Sequence, residues 1–224
     1  MHYHIQERFL ATRKFVLGVL EFFGITDYFF WTYRSIDELL DLLDEKYQLP
    51  CKVILWENRK LFESTPGSSA NHQCWRGGYI DHLTEIMNLG VGIYTTLKKK
   101  TRRPLPFSLS DLLLVLFLHD LEKPWKYEMD EDGSLRYRSG VRTKAEQKKF
   151  RADKIYVAGI VLTPVQQNGL DFAEGEIEDH SASHRCMGEL GALVHVCDVL
   201  SARLFHSYPL ANGDPWIGAK RFRS

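Results

Sequence analysis

The run Leu112-Leu113-Leu114-Val115-Leu116-Phe117-Leu118 is apolar at every position and stops abruptly at His119-Asp120. A helix apolar on all sides has no face to give to water and is buried all round. The doublet therefore stands at the edge of a core. An imidazole and a carboxylate taken out of water need partners, and a metal ion satisfies both. Candidate partners are His82, in Gly77-Gly78-Tyr79-Ile80-Asp81-His82, and Asp198, in His195-Val196-Cys197-Asp198. Neighbouring helical residues point about 100° apart, so His119 and Asp120 reach one ion only at the helix edge. The remaining ligands must come from other helices.

Apolar spacing and capping signals predict a mainly α chain. A helix is expected from Arg8 to about Gly24, and a second from Ser35 to Tyr47, with Ser35 and Glu38 as a capping box and Pro50 as its close. The two read as a helical hairpin. Residues 51 to 63 are expected to form a short strand or an extended connection, leading to a turn-rich loop over Ser64-Ser69. A long helix follows Gly77-Gly78 to about Leu97, carrying His82 near its start and the basic run Lys98-Lys99-Lys100-Thr101-Arg102-Arg103 at its end. Ser108 or Ser110 with Asp111 starts the next helix, expected to run through the doublet and stop near Pro124. Asp130-Glu131-Asp132-Gly133 suggests a hairpin turn, and Thr163-Pro164 starts a helix or a loop. The last strong helix spans about Arg185 to His206.

The sequence order of His, then His-Asp, then Asp resembles the HD-domain metal-dependent phosphohydrolases, over residues 70 to 206. His82 is similar to the family's first ligand, His119-Asp120-Leu121-Glu122-Lys123-Pro124 to its doublet with an HDxxKP continuation, and Asp198 to its last ligand. Glu122 stands where a Gly is often found. The resemblance implies an HD-type helical bundle with a core at 70–206, an N-terminal helical extension at 1–66 and a tail at 207–224. It further implies one divalent metal ion, with Mn, Co, Fe, Zn and Mg all open, held by His82, His119, Asp120 and Asp198. On that logic the metal activates water and polarises a phosphoryl oxygen. Asp120, Glu122 and Lys123 are then catalytic candidates, with Lys123 also positioned to bind phosphate and Glu122 to orient water or move a proton. As plain surface residues, Lys123 would end a helix and Glu122 would face solvent.

Just upstream, His72, Trp75 and Arg76 offer an imidazole, a stacking face and a guanidinium to a nucleotide, while Trp75 could equally anchor its loop to the core. Arg203, about one turn past Asp198, binds phosphate or pairs with a carboxylate such as Glu85. His195 shares a helical face with Asp198 and is read as support or packing ahead of ligation. His180 and His184 have the spacing of a helical metal pair but sit in a stretch that looks like a loop and cap. The basic segment from Arg138 to Lys154 either folds over a polyphosphate or forms a solvated face.

Lys plus Arg and Asp plus Glu both total 29, which argues against a protein that coats nucleic acid or an anionic membrane. Four cysteines without CxxC spacing fit a reducing compartment, and no leader or spanning run is visible, so a cytoplasmic protein with no membrane partner is expected. The expected activity is hydrolysis of a phosphoester or phosphoanhydride in a small substrate, a nucleotide or deoxynucleotide. Alternatives are a nuclease on single-stranded nucleic acid, an HD-fold di-iron oxygenase that uses His180 and His184, and a non-catalytic nucleotide-binding module. The oligomeric state is left open.

Overall fold

The computed structural model describes residues 33–68, 72–129, 135–176, 185–204 and 220–221. The chain divides into two units, Met1–Tyr33 and Arg34–Ser224, and every element below belongs to the second. The expected helix from Arg8 to Gly24, the turn at 130–133 and the pair His180 and His184 lie outside the described residues.

The described chain is mainly helical: α1 (Ile36–Leu40), α2 (Glu45–Glu57), α3 (Arg59–Phe62), α4 (Gly78–Lys100), α5 (Leu109–Leu118), α6 (Lys123–Lys126), α7 (Lys144–Val157), α8 (Pro164–Asp171) and α9 (Glu189–Leu204). Two small antiparallel pairs complete it. In one, β1 (Trp75–Arg76) pairs with β4 (Lys220–Arg221); in the other, β2 (Tyr127–Met129) pairs with β3 (Leu135–Tyr137). No helix among the described residues is long and apolar enough to cross a membrane.

Capping boxes start several helices where side-chain chemistry demands them. Ser35, Ser108, Thr143 and Thr163 each accept the third helical N–H, and Glu38, Asp111, Glu146 and Gln166 each return a bond to the cap's backbone N–H. Thr163-Pro164 therefore opens a helix, with Pro164 at a position where its missing N–H costs nothing.

The centre of this unit is α5. Every residue from Leu112 to Leu118 is fully buried, and α4, α8 and α9 pack around this helix. Helix α1 also packs on α4, and the backbone N–H of Asp44 donates to Ser110 Oγ at 2.8 Å. The segment α1–α3 is thus part of the same packed unit as α4–α9.

Three expectations about element boundaries are corrected. Residues 51–57 and 59–62 are helical, and the helix predicted over Ser35–Tyr47 is split between α1 and the start of α2. Pro50 lies inside α2 instead of closing it. The ring removes one bond to the Lys46 carbonyl, but α2 buries Tyr47, Cys51, Ile54 and Leu55, and that packing outweighs one lost bond. The third correction is that α5 stops at Leu118, before the doublet, instead of running to Pro124. Pro124 has no N–H to offer the Asp120 carbonyl, and the Arg151 guanidinium takes the His119 carbonyl. The chain tightens instead through bonds from Leu121 N–H to the Leu118 carbonyl and from Lys123 N–H to the Asp120 carbonyl.

Helix α9 begins at Glu189, later than the expected Arg185. The N–H groups of Cys186 and Met187 donate to the Glu176 carboxylate and that of Gly188 to Asn168 Oδ1, so distant side chains cap the approach.

Candidate metal centre

His82 lies in the second turn of α4, beyond a glycine pair that the local geometry requires. Gly77 has φ 83°, in the left-handed region. A Cβ on Gly78 would stand 1.9 Å from the Gln73 carbonyl oxygen, so only glycine lets the incoming loop close against the helix start. His119 and Asp120 sit at the end of α5, in the turn before α6, and Asp198 lies in the middle of α9. His119 keeps helical backbone angles, φ −60° and ψ −33°, just past the end of α5, and both side chains of the doublet reach the same place.

His82 Nε2, His119 Nε2 and an Asp198 oxygen all lie within 4.8 Å of one another. Asp198 Oδ1 is 3.2 Å from His82 Nε2 and 3.9 Å from His119 Nε2. Asp120 Oδ2 is 3.0 Å from His119 Nε2 and 3.9 Å from His82 Nε2. Both imidazoles are buried, yet neither Nε2 has an aligned hydrogen-bond partner. Two buried nitrogens without aligned partners, turned toward carboxylates, fit a cation.

The nitrogens on the far sides of the rings are occupied. His119 Nδ1 is 2.8 Å from the Leu116 carbonyl oxygen, which can only accept, so Nδ1 carries a proton and, in the neutral ring, Nε2 keeps its lone pair. His82 Nδ1 is 3.1 Å from Ser201 Oγ. Gln73, fully buried, donates its amide N–H to that same Oγ at 3.0 Å. Neither Gln73 nor Ser201 was singled out in the sequence, because what marks them is a contact between residues far apart in the chain.

Burial works against the Asp198 carboxylate, but the His82 and His119 imidazoles outweigh it and hold its pKa down at about 2. Burial likewise opposes ionised Asp120, yet the Lys123 ammonium and His119 keep it well below the usual carboxylate range. Lys123 Nζ stands 2.5 Å from Asp120 Oδ2, and that carboxylate holds the ammonium charged against its own burial. Burial keeps His82 neutral, as a ligand must be. For His119 burial acts the same way, but the Asp120 and Asp198 carboxylates outweigh it and raise its pKa. Two ionised carboxylates facing two imidazoles form a donor set for Mn, Co, Fe or Zn.

Glu122 is buried, not a surface carboxylate. It turns toward α7, where Arg151 Nη1 lies 3.5 Å from its Oε2, and burial followed by repulsion from Asp120 raises its pKa. Arg151 is the inward residue of the basic segment, whereas Lys144, Lys148 and Lys149 are exposed. Trp75 is buried, and its indole N–H donates to Asp81 Oδ2 at 2.7 Å, so it anchors the loop to the start of α4. Of the other substrate candidates, His72 packs beside His82 with ring centroids 5.1 Å apart and the rings tilted by 52°, while Arg76 and Arg203 are exposed. Burial, then the Lys123 charge, lowers the His72 pKa to about 4, leaving a neutral ring. His195 packs away from the cluster, its Nδ1 3.0 Å from the Ala173 carbonyl oxygen.

No family model matches the chain, and neither a curated protein nor a solved structure matches it.

Proposed function

We propose that this protein is a metal-dependent phosphohydrolase acting on a small phosphorylated substrate, a nucleotide or deoxynucleotide, as its resemblance to the HD family implies. The observation that carries the reading is the convergence of two buried imidazole Nε2 atoms on the Asp198 carboxylate, beside the buried Asp120–Lys123 ion pair. His82, His119 and Asp198 would hold the ion, with Asp120 completing the set. A divalent ion there supplies Lewis acidity toward water and a phosphoryl oxygen.

The chain's own residues do the rest. The Leu116 carbonyl keeps the His119 lone pair aimed inward. Lys123, charged and fixed against Asp120, presents a positive group to phosphate oxygens as charge develops on them. Asp198 keeps part of its side chain in solvent, which gives the cluster a wet side for substrate entry. A small substrate is favoured over a strand because the exposed basic run lies at the opposite end of α4, about 27 Å along the helix from His82.

The test is release of phosphate or pyrophosphate from a nucleotide panel with Mn, Co, Zn or Mg, comparing the wild type with Asp120→Ala. Metal-dependent turnover is expected in the wild type and its loss in the variant. A folded, metal-loaded wild type that turns over none of the panel would overturn the reading.

A further inference from the structure

Gln73 departs from what its position in the chain would ordinarily allow. It is the one non-glycine among the described residues with positive φ, at 42°, and it is fully buried. Strained backbone of this kind persists only where surrounding structure fixes it. Its carbonyl oxygen accepts from the Gly67 N–H at 2.9 Å and lies against Gly78, so chain on both sides clamps this residue. Its side-chain amide is clamped as well. Oε1 meets His72 Nδ1 at 2.5 Å, while Nε2 donates to both Oγ and the carbonyl oxygen of Ser201, at 3.0 and 3.3 Å. Ser201 Oγ in turn stands 3.1 Å from His82 Nδ1.

From this geometry we infer that Gln73 is a positioning residue, which fixes the Ser201 hydroxyl and through it holds the His82 imidazole with Nε2 turned into the cluster. The inference rests on the metal-centre reading for its purpose, though its geometry does not. Even a buried serine hydroxyl such as that of Ser201 can turn its hydrogen toward or away from a neighbouring ring nitrogen. With the Gln73 amide on one lone pair, Oγ keeps the other facing the Nδ1–H of His82, the arrangement in which Nε2 is free to ligate. The loop before α4 and the last turns of α9 are thereby joined at the back of the ring.

The test uses the full chain and three variants: Gln73→Gly, Ser201→Ala and the double change. Glycine suits the positive φ, so Gln73→Gly removes the amide without adding backbone strain, and circular dichroism checks that each variant folds. Two readouts are taken. Titration with Co alone follows affinity and the visible ligand-field spectrum, and long-range nitrogen NMR of the metal-free protein follows the His82 ring tautomer. The expected result is a single His82 tautomer in the wild type and a mixture in Gln73→Gly, with Co binding weakened by about 10- to 100-fold. The double variant should bind Co no worse than Ser201→Ala, because both changes cut one relay. A folded Gln73→Gly with the wild-type tautomer overturns the inference, as do additive losses in the double variant. If the wild type binds no Co, the metal reading fails instead, and the tautomer comparison still decides the role of Gln73.

Discussion

Leu116 offers His119 a carbonyl oxygen, and that single acceptor decides which imidazole nitrogen keeps its lone pair. His72 shows the same dependence of chemistry on surroundings. Its folded pKa of about 4 lies below the ordinary value of about 6.5 for an unfolded histidine. Between those values the unfolded chain takes up a proton that the folded one refuses. Stability should therefore fall as pH drops from about 6.5 to about 4 and then level off, with His72 contributing up to about 3 kcal/mol. Urea unfolding of the chelator-treated protein across this range checks the slope, and His72→Asn should flatten it. Residues that announce themselves by type, His82, the doublet and Asp198, were legible in the sequence, and the structure gathers them. Gln73, Ser201 and Arg151 were not, because an amide, a hydroxyl and one arginine in a basic run acquire meaning only from partners far away in the chain.

Among the elements, α5 is buried on every side along Leu112–Leu118, and its sequence shows why: seven consecutive apolar residues leave no side for water. Leu116→Ala should cost about 2–5 kcal/mol in chemical denaturation, since its neighbours on α4, α8 and α9 cannot all move inward to fill the space. An effect below 1 kcal/mol would mean that the helix is less tightly enclosed than its burial indicates. The capping box at Ser35 was legible because its partners lie three residues apart, whereas the start near Ser108 stayed open between two serines and Thr163 between a helix and a loop. Helix α2 was not, since Pro50 and the β-branched pair Val53-Ile54 argue locally for a break or a strand. The early stop of α5 was equally hidden, because it depends on a guanidinium arriving from α7.

For the molecule as a whole, a bound ion must stabilise the folded state by mass action. Mn or Co at about a hundred times its Kd should add about 2.7 kcal/mol, read as a rise in Tm that grows with metal concentration. His82→Ala should abolish that rise, and an undiminished rise would place the ion elsewhere. The mainly α class could be read from the apolar spacing, but the inclusion of α1–α3 in the packed unit could not, because it follows from contacts between α1 and α4 and between α3 and α6. The three closely grouped side chains, His82, His119 and Asp198, come from α4, from the end of α5 and from α9, so no short stretch of sequence contains the cluster. During synthesis the first two can meet early, but the third arrives only when α9 docks. If the cluster holds an ion as proposed, the onset of tight binding would report the docking of α9, and a chain released before α9 would lack Asp198 and bind the ion poorly.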